Sequence, residues 1–274
     1  MISQSKYDQL KQIFRDMDSL IVAYSGGIDS TLVLKVAYDC LGDRVLGVTA
    51  LSASMPAEEQ KEAQDIARQI GVAHTQIISH ETEDARYLAN APDRCFFCKS
   101  EVYDQLVEYA QEHGFQTIAD GSNADDVGDH RPGRQAAREH GVRSPLQEAG
   151  FTKAEVRELA RELGLPNWDK PAAACLASRI PYGTLITIQT LSQVEQAEAA
   201  LKRLGFKQLR VRHHDNIARI EIEPDEFARI LNYRDEITRS LKNLGYAYIT
   251  LDLEGFRSGS MNEVLVSNGY LQNS

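Results

Sequence analysis

The sequence is short of cysteine, of long apolar runs and of basic charge, and each shortage excludes something. No stretch of about 20 apolar residues is present to span a bilayer, so no membrane partner is expected. The opening MISQSKYDQLKQIF lacks the apolar run of a signal peptide, which points to the cytoplasm. In that compartment disulfides are rare, so the four cysteines are metal ligands, reactive thiols or core filler. Lys and Arg number 30 against 40 Asp and Glu, a net charge of −10. Gripping nucleic acid through its phosphates needs a basic face, so no nucleic-acid partner is expected. Internal repeats, low-complexity tracts and long linkers are also missing.

What is present is an ordinary globular composition. The 274 residues are 42% hydrophobic and 26% charged, enough for one sizeable core and a smaller second one. Strand and helix signals alternate through the first 120 residues: strands at Leu20–Tyr24, Arg44–Ala50, Val72–Ile78 and Gln116–Asp120, helices at Thr31–Cys40, Ala57–Ile70 and Lys99–His113. This alternation predicts an α/β fold, a doubly wound parallel sheet with ligands at the C-terminal edge of the strands. The chain is then loop-rich from Gly121 to Gly183, with one helix at Lys153–Leu163 opened by a Thr152/Glu155 capping box. Beyond Thr184 a helix (Ile188–Leu204), a hairpin turning at Asp215–Asn216, a helix (Pro224–Leu244) and a strand (Tyr246–Leu251) predict a smaller α+β domain. The expected division is residues 1–183 and 184–274, with the second part serving substrate binding or oligomerisation.

The strongest motif is Ser25-Gly26-Gly27-Ile28-Asp29-Ser30, between the first strand and a helix. Two glycines let the backbone turn sharply and bring N–H groups to a ligand, and the helix N-terminus adds partial positive charge. Ser25 and Ser30 add hydroxyl donors, so the whole reads as a pyrophosphate cradle. It lacks the Gly-Lys-Ser/Thr ending of a Walker loop, which disfavours γ-phosphate transfer. The segment resembles the PP-loop of the ATP pyrophosphatases, Rossmann-like enzymes that cleave ATP to AMP and pyrophosphate. That resemblance implies pyrophosphate bound at Ser25, Gly26, Gly27, Asp29 and Ser30, with Ala23 at the strand end. It also implies adenosine beside Thr49–Ser52, including Ala50 and Ser52, and Mg²⁺ bridging the phosphates. Asp120-Gly121-Ser122-Asn123-Ala124-Asp125-Asp126 follows the fourth strand and belongs on the same edge. There Gly121 permits close approach, and Asp125 and Asp126 are either hard oxygen ligands for Mg²⁺ or members of a local turn.

Cys40 lies on the apolar face of a helix and reads as core. Cys95-Phe96-Phe97-Cys98 is a CxxC at a helix start, and Cys175 sits among small residues in Ala172-Ala173-Ala174-Cys175-Leu176-Ala177-Ser178-Arg179. Arg179 suits a thiolate or an anion, and Ser178 stands next to it as a second candidate for substrate contact. Three thiolates can hold a [4Fe–4S] cluster with one iron left open. A thiol-only mechanism, a zinc site one ligand short and a redox CxxC remain as alternatives.

SGGIDSTL, Arg94-Cys95-Phe96-Phe97-Cys98-Lys99, DGSNADD, Arg131-Pro132-Gly133, Ser144-Pro145-Leu146 and the CLASRIPYG segment together resemble the LarE family. These are ATP-dependent sulfur transferases that help make the nickel-pincer nucleotide cofactor. Some relatives sacrifice the sulfur of a single cysteine near position 175 and become dehydroalanine there. The added Cys95 and Cys98 depart from that pattern and favour an iron-bound sulfide. The resemblance further implies that Arg210 and Arg212, on one strand face near His213, His214 and Arg219, bind the phosphate of a pyridinium mononucleotide. Glu198 on the preceding helix is a further candidate for that pocket; a solvated, ion-paired strand face is the plain alternative. The expected partners are that small-molecule nucleotide, proteins of the same cofactor pathway and further copies of the chain. A tRNA thiolase and a non-catalytic ATP-binding module are the rival functions.

Overall fold

The computed structural model describes residues 4–128, 132–171, 174–257, 260 and 263. The chain forms two compact units, Met1–Tyr87 with Asp93–Ala173, and Leu88–Pro92 with Ala174–Ser274.

In the first unit β1 (Leu20–Ala23), β2 (Val45–Leu51), β3 (Ala73–Ile78) and β4 (Thr117–Ala119) form one sheet in the order β3-β2-β1-β4. Every pair is parallel, with Leu20 opposite both Val45 and Thr117. The first unit's helices of eight or more residues are α1 (Gln4–Arg15), α2 (Ile28–Leu41), α3 (Ala57–Ile70), α4 (Arg94–His113), α5 (Pro132–Glu139) and α6 (Lys153–Glu162), and single turns of helix lie at Ala85–Leu88 and Pro145–Glu148. Alternation along β1 sends its side chains to opposite faces. Leu20 and Val22 join Leu10, Phe14, Leu32, Val36, Val156 and Leu159 on one side. Ile21 joins Val48, Tyr103, Leu106, Ala136 and Ala137 on the other. A parallel sheet covered on both faces needs such uninterrupted apolar strands.

The strand order decides where a ligand can sit. The chain winds β1, β2, β3 outward and then jumps back to place β4 on the far side of β1. The loops after β1 and β4 therefore leave in different directions and open a crevice at the switch point. Those two loops carry the Gly26-Gly27 and Gly121 motifs.

Local chemistry explains the element limits. Thr152 and Glu155 form the expected capping box on α6, each side chain bonded to the other's backbone N–H. Helix α4 begins at Arg94, not Lys99, so the CxxC lies inside its first turns. Helix α5 falls in the stretch read as loop; its Arg131 neighbour, part of the Arg131-Pro132-Gly133 motif, lies outside the described residues, as do Ala172 and Ala173. Pro132 at the first helical position is the cue that was available.

The second unit contains α7 (Ile188–Arg203), β5 (Leu209–His214), β6 (Ile217–Ile222), α8 (Phe227–Asn232), α9 (Arg234–Asn243) and β7 (Tyr248–Leu251). Its sheet runs β5-β6-β7, the first pair antiparallel and the second parallel. The hairpin turns at Asp215 and Asn216 as the sequence indicates, with Asp215 at φ 53°. The single helix expected over Pro224–Leu244 is instead a short 3-10 turn, α8 and α9, broken at Tyr233. The break seats the Tyr233 ring edge-on to Phe206, centroids 6.0 Å apart, with the Arg229 guanidinium 4.5 Å from the Phe206 ring centre. Leu201, Phe206, Val211, Ile220, Leu241 and Tyr246 form the core. Asn90, fully buried, ties the Leu88–Pro92 segment into this unit: its side-chain amide donates to the carbonyls of Ile180, Pro181 and Thr184. Among the described residues no helix is long and apolar enough to cross a membrane.

Candidate active site

The loop after β1 is packed through contacts that only glycine allows. Gly26 has φ 73°, and a Cβ there would stand 2.7 Å from the Ala63 Cβ on α3. A Cβ on Gly121 would stand 2.6 Å from the Ser30 amide nitrogen, so the loop after β4 lies directly against the first turn of α2. Ser30 Oγ donates to the Gly27 carbonyl at 3.1 Å and lies 3.2 Å from Ser25 Oγ, which accepts the Gly27 N–H at 3.3 Å. Ala23 ends β1 opposite Val48, and Ala50 lies on β2 opposite Ile77, so both stand near the same sheet edge. Tyr24, just before the loop, is buried, and burial pushes its phenol up to about 12.

Two side chains converge on Asp29 from distant sequence. The Lys153 ammonium pairs with Oδ2, and Asn123 Nδ2 donates to Oδ1 at 3.1 Å. A third, Asn167, supports the loop from below: its amide donates to the Gly26 carbonyl at 3.0 Å and to Thr31 Oγ1 at 2.9 Å. Asp125 accepts the Lys153 backbone N–H at 2.8 Å, and Asp126 accepts that of Asn123 at 2.9 Å. Both carboxylates thus work in the local turn and at the start of α6. Asp29 is the carboxylate of this group that sits in the phosphate loop itself.

At the neighbouring strand ends, Ser52 and Ser54 follow β2 and Glu81 follows β3. Glu81 is 1% exposed and accepts the hydroxyls of Ser52 and Ser54, the latter at 2.7 Å. Its second oxygen, Oε2, has no hydrogen-bond partner among the described residues.

Cys95 is exposed and Cys98 half-buried in the first turns of α4, and Cys175 is exposed in the second unit. The Lys99 amine is held above its ordinary value, first by Tyr103 and then by Asp120 and the two thiols, despite desolvation. Among the described residues no group of three or more His, Cys, Asp or Glu is arranged to hold a metal ion. Cys40 packs half-buried against the main core, where burial pushes its thiol up and makes it inert.

In the second unit charged side chains gather around the Cys175 turn. Arg179, 3% exposed, bonds Glu198 through Nε at 2.8 Å and Nη2 at 3.1 Å. Its Nη1 donates to the carbonyl of Cys175 at 3.0 Å and to Ser178 Oγ at 2.9 Å, and Ser178 Oγ donates to the same carbonyl at 2.7 Å. Glu198 also accepts the Val211 N–H at 3.1 Å. Arg212 forks onto the fully buried Glu221 at 2.9 and 2.8 Å and donates to the Ser178 carbonyl at 2.9 Å. Arg219 also bonds Glu221, at 3.1 Å, so four arginines face these two glutamates. Arg210 bears the consequence: burial first, then Arg179 and Arg212, push its guanidinium down to about 10.

The asparagine synthase family model matches residues 15–163, the span from α1 through α6 that carries the phosphate loop. A pyridinium-3,5-bisthiocarboxylic acid mononucleotide synthase of Lactiplantibacillus plantarum is 43% identical over 95% of this chain and 95% of its own length. The chain belongs to the LarE family. An uncharacterised Synechocystis protein is 47% identical over 96% of this chain and 98% of its own. More distantly, an argininosuccinate synthase of Methanocaldococcus jannaschii is 29% identical over 53% of this chain and 40% of its own. As a LarE-family chain with the asparagine synthase PP-loop domain, this protein is an enzyme of the ATP-dependent synthase and sulfurtransferase class.

The LarE motifs had pointed to the loops but not to what steadies them. Lys153 begins a capped helix 124 residues beyond Asp29, and Asn167 lies in a Leu-Pro-Asn-Trp turn; neither carries a local signal of its role. Glu81 sits in a run of acidic residues that looks solvated from sequence.

Proposed function

We propose that the enzyme uses ATP to adenylate a carboxylate of a pyridinium dicarboxylate mononucleotide and converts it to a thiocarboxylate. The observation that carries the first half is the loop at the start of α2, packed so closely on Ala63 and on the loop after β4 that neither Gly26 nor Gly121 has room for a Cβ. Its backbone N–H groups and helix terminus suit a pyrophosphate. Asp29 offers the oxygens that Mg²⁺ takes, and bound there the ion would offset charge on the phosphates. Lys153, now paired with Asp29, is within reach of the same charge. The substrate carboxylate attacks the α-phosphorus, the bond to pyrophosphate breaks, and an acyl-adenylate forms. AMP is then a good leaving group where carboxylate oxygen was a poor one.

The name of the Lactiplantibacillus relative supports the mononucleotide as substrate. The surplus of positive charge among Arg179, Arg210 and Arg212 over Glu198 and Glu221 supports a phosphate as what Arg210 faces. In the second half a sulfur nucleophile attacks the activated carbonyl and the bond to AMP breaks. Where it is the Cys175 thiolate, the thioester's Cβ–Sγ bond then breaks as the Cα proton leaves, which releases the thiocarboxylate and leaves dehydroalanine. Where a cluster is bound, it would supply a sulfide instead. Cys95, Cys98 and Cys175 have the thiol chemistry of a [4Fe–4S] ligand set with one open iron. The described residues do not assemble such a three-ligand group, so Cys175 by itself is the second reading of the sulfur source.

Turnover with the dicarboxylate mononucleotide is expected to release AMP and pyrophosphate; release of ADP and phosphate sinks the adenylation step. Iron and acid-labile sulfide, measured after anaerobic reconstitution of the wild type and Cys175→Ala, separate the two sulfur sources. About four irons in the wild type, lost in the variant, supports the cluster. Little iron in either, with Cys175 converted to dehydroalanine after turnover, supports the single cysteine.

A further inference from the structure

We propose that Glu81 sets the hydroxyls of Ser52 and Ser54 as acceptors, so that the edge after β2 reads a hydrogen-bond donor on the nucleoside of ATP. The proposal rests on the ATP-binding role of the neighbouring loop.

A serine hydroxyl has one proton to give and lone pairs to receive. Ser52 Oγ and Ser54 Oγ both contact Glu81 Oε1, and they stand 2.8 Å from each other. Two hydroxyl protons serve three contacts, and the Ser52–Ser54 contact is both the longest of them and the one without the carboxylate, so it is the one that goes without a proton. The Ser52 proton therefore points at Glu81. Ser52 Oγ also accepts the Ser54 N–H at 2.9 Å, which fixes the Ser52 rotamer. Half-buried Ser52 is left with an unused lone pair and no proton to offer a ligand.

Stability alone does not account for this arrangement. Glu81 is 1% exposed, yet Oε2 has no partner among the described residues, so the side chain carries an unmet polar oxygen into the interior. A buried acceptor without a partner destabilises a fold, and an apolar residue would avoid it. What the carboxylate supplies is direction: as an acceptor it orients the serine hydroxyl. Its place is also informative, because β2 neighbours β1 in the sheet and both loops leave the same C-terminal edge. A nucleotide with its phosphates on the β1 loop extends its nucleoside along that edge.

Two groups on ATP can be the donor, the exocyclic amine of adenine or a ribose hydroxyl. ITP lacks the first and 2′-deoxy-ATP and 3′-deoxy-ATP lack one of the second. Equilibrium binding of all four nucleotides with Mg²⁺ would be measured by calorimetry on the wild type, Glu81→Leu, which removes the acceptor oxygens, and Ser52→Ala. The wild type is expected to prefer ATP over ITP, or over one deoxynucleotide, by about tenfold, the effect of one hydrogen bond. Both variants are expected to lose that preference while keeping their affinity for the analogue. Ser52→Ala removes a single hydroxyl and carries the test if Glu81→Leu is poorly folded by circular dichroism. Equal weakening toward all four nucleotides, or an unchanged preference, overturns the proposal and leaves Glu81 a structural residue. Failure of the wild type to bind any nucleotide overturns the ATP site itself.

Discussion

Asp29, Lys153, Asn123 and Asn167 come from four separate places in the sequence and meet on one six-residue loop. The Asn167 contact is the most exposed to test, since its two donor bonds are buried. Replacing Asn167 by Ala leaves the Gly26 carbonyl and Thr31 hydroxyl without their donor, at a cost of about 1–3 kcal/mol. Urea denaturation of Asn167→Ala is expected to show that loss, together with a raised KM for ATP. An unchanged KM would mean that Gly26 holds its conformation without the amide. Lys153 separates charge from structure. Lys153→Met keeps the aliphatic stem and removes the cation on Asp29, so it is expected to lower the rate of pyrophosphate release while leaving the melting temperature within a few degrees. A variant as active as the wild type would remove Lys153 from the site.

At the level of elements, turns and caps were legible where local chemistry decides, and illegible where tertiary contacts do. The capping box at Thr152 and Glu155 and the two-residue hairpin at Asp215–Asn216 stand where their residues say. Thr152→Ala is expected to cost about 1 kcal/mol, read as a shifted denaturant midpoint with unchanged slope. The break at Tyr233 has no such local signal: the Tyr233 ring packs on Phe206, a residue far back in the chain, whose ring Arg229 of α8 also covers. The glycine motifs predicted tight loops, but only packing shows why Gly121 admits nothing larger: its neighbour is backbone, the Ser30 amide nitrogen. Gly121→Ala is therefore expected to abolish AMP and pyrophosphate formation. Activity in that variant would show that the loop after β4 can yield without disturbing α2.

For the whole molecule, three histidines govern the response to acid. Burial lowers the imidazoles of His74, His213 and His214, and His74 Nε2 lies 2.9 Å from Thr49 Oγ1. A base with a lower value in the fold than in the unfolded chain binds protons more readily once unfolded. The stability it contributes is complete above the ordinary value near 6.5 and is lost as pH falls below it. The melting temperature is expected to be level above about pH 7 and to decline between about pH 6.5 and 5. A flat profile across that window would show that these rings are hydrated in solution.

The five residues Leu88–Pro92 belong to the second unit although the chain on both sides of them belongs to the first. Asn90 waits for acceptors at Ile180, Pro181 and Thr184, about ninety positions later. During synthesis the segment leaves the ribosome long before anything exists to receive it. The second unit is thus assembled from two separate stretches of chain. A gene fragment starting at Ala174 lacks Leu88–Pro92, and with it the Asn90 amide that donates to the carbonyls of Ile180, Pro181 and Thr184.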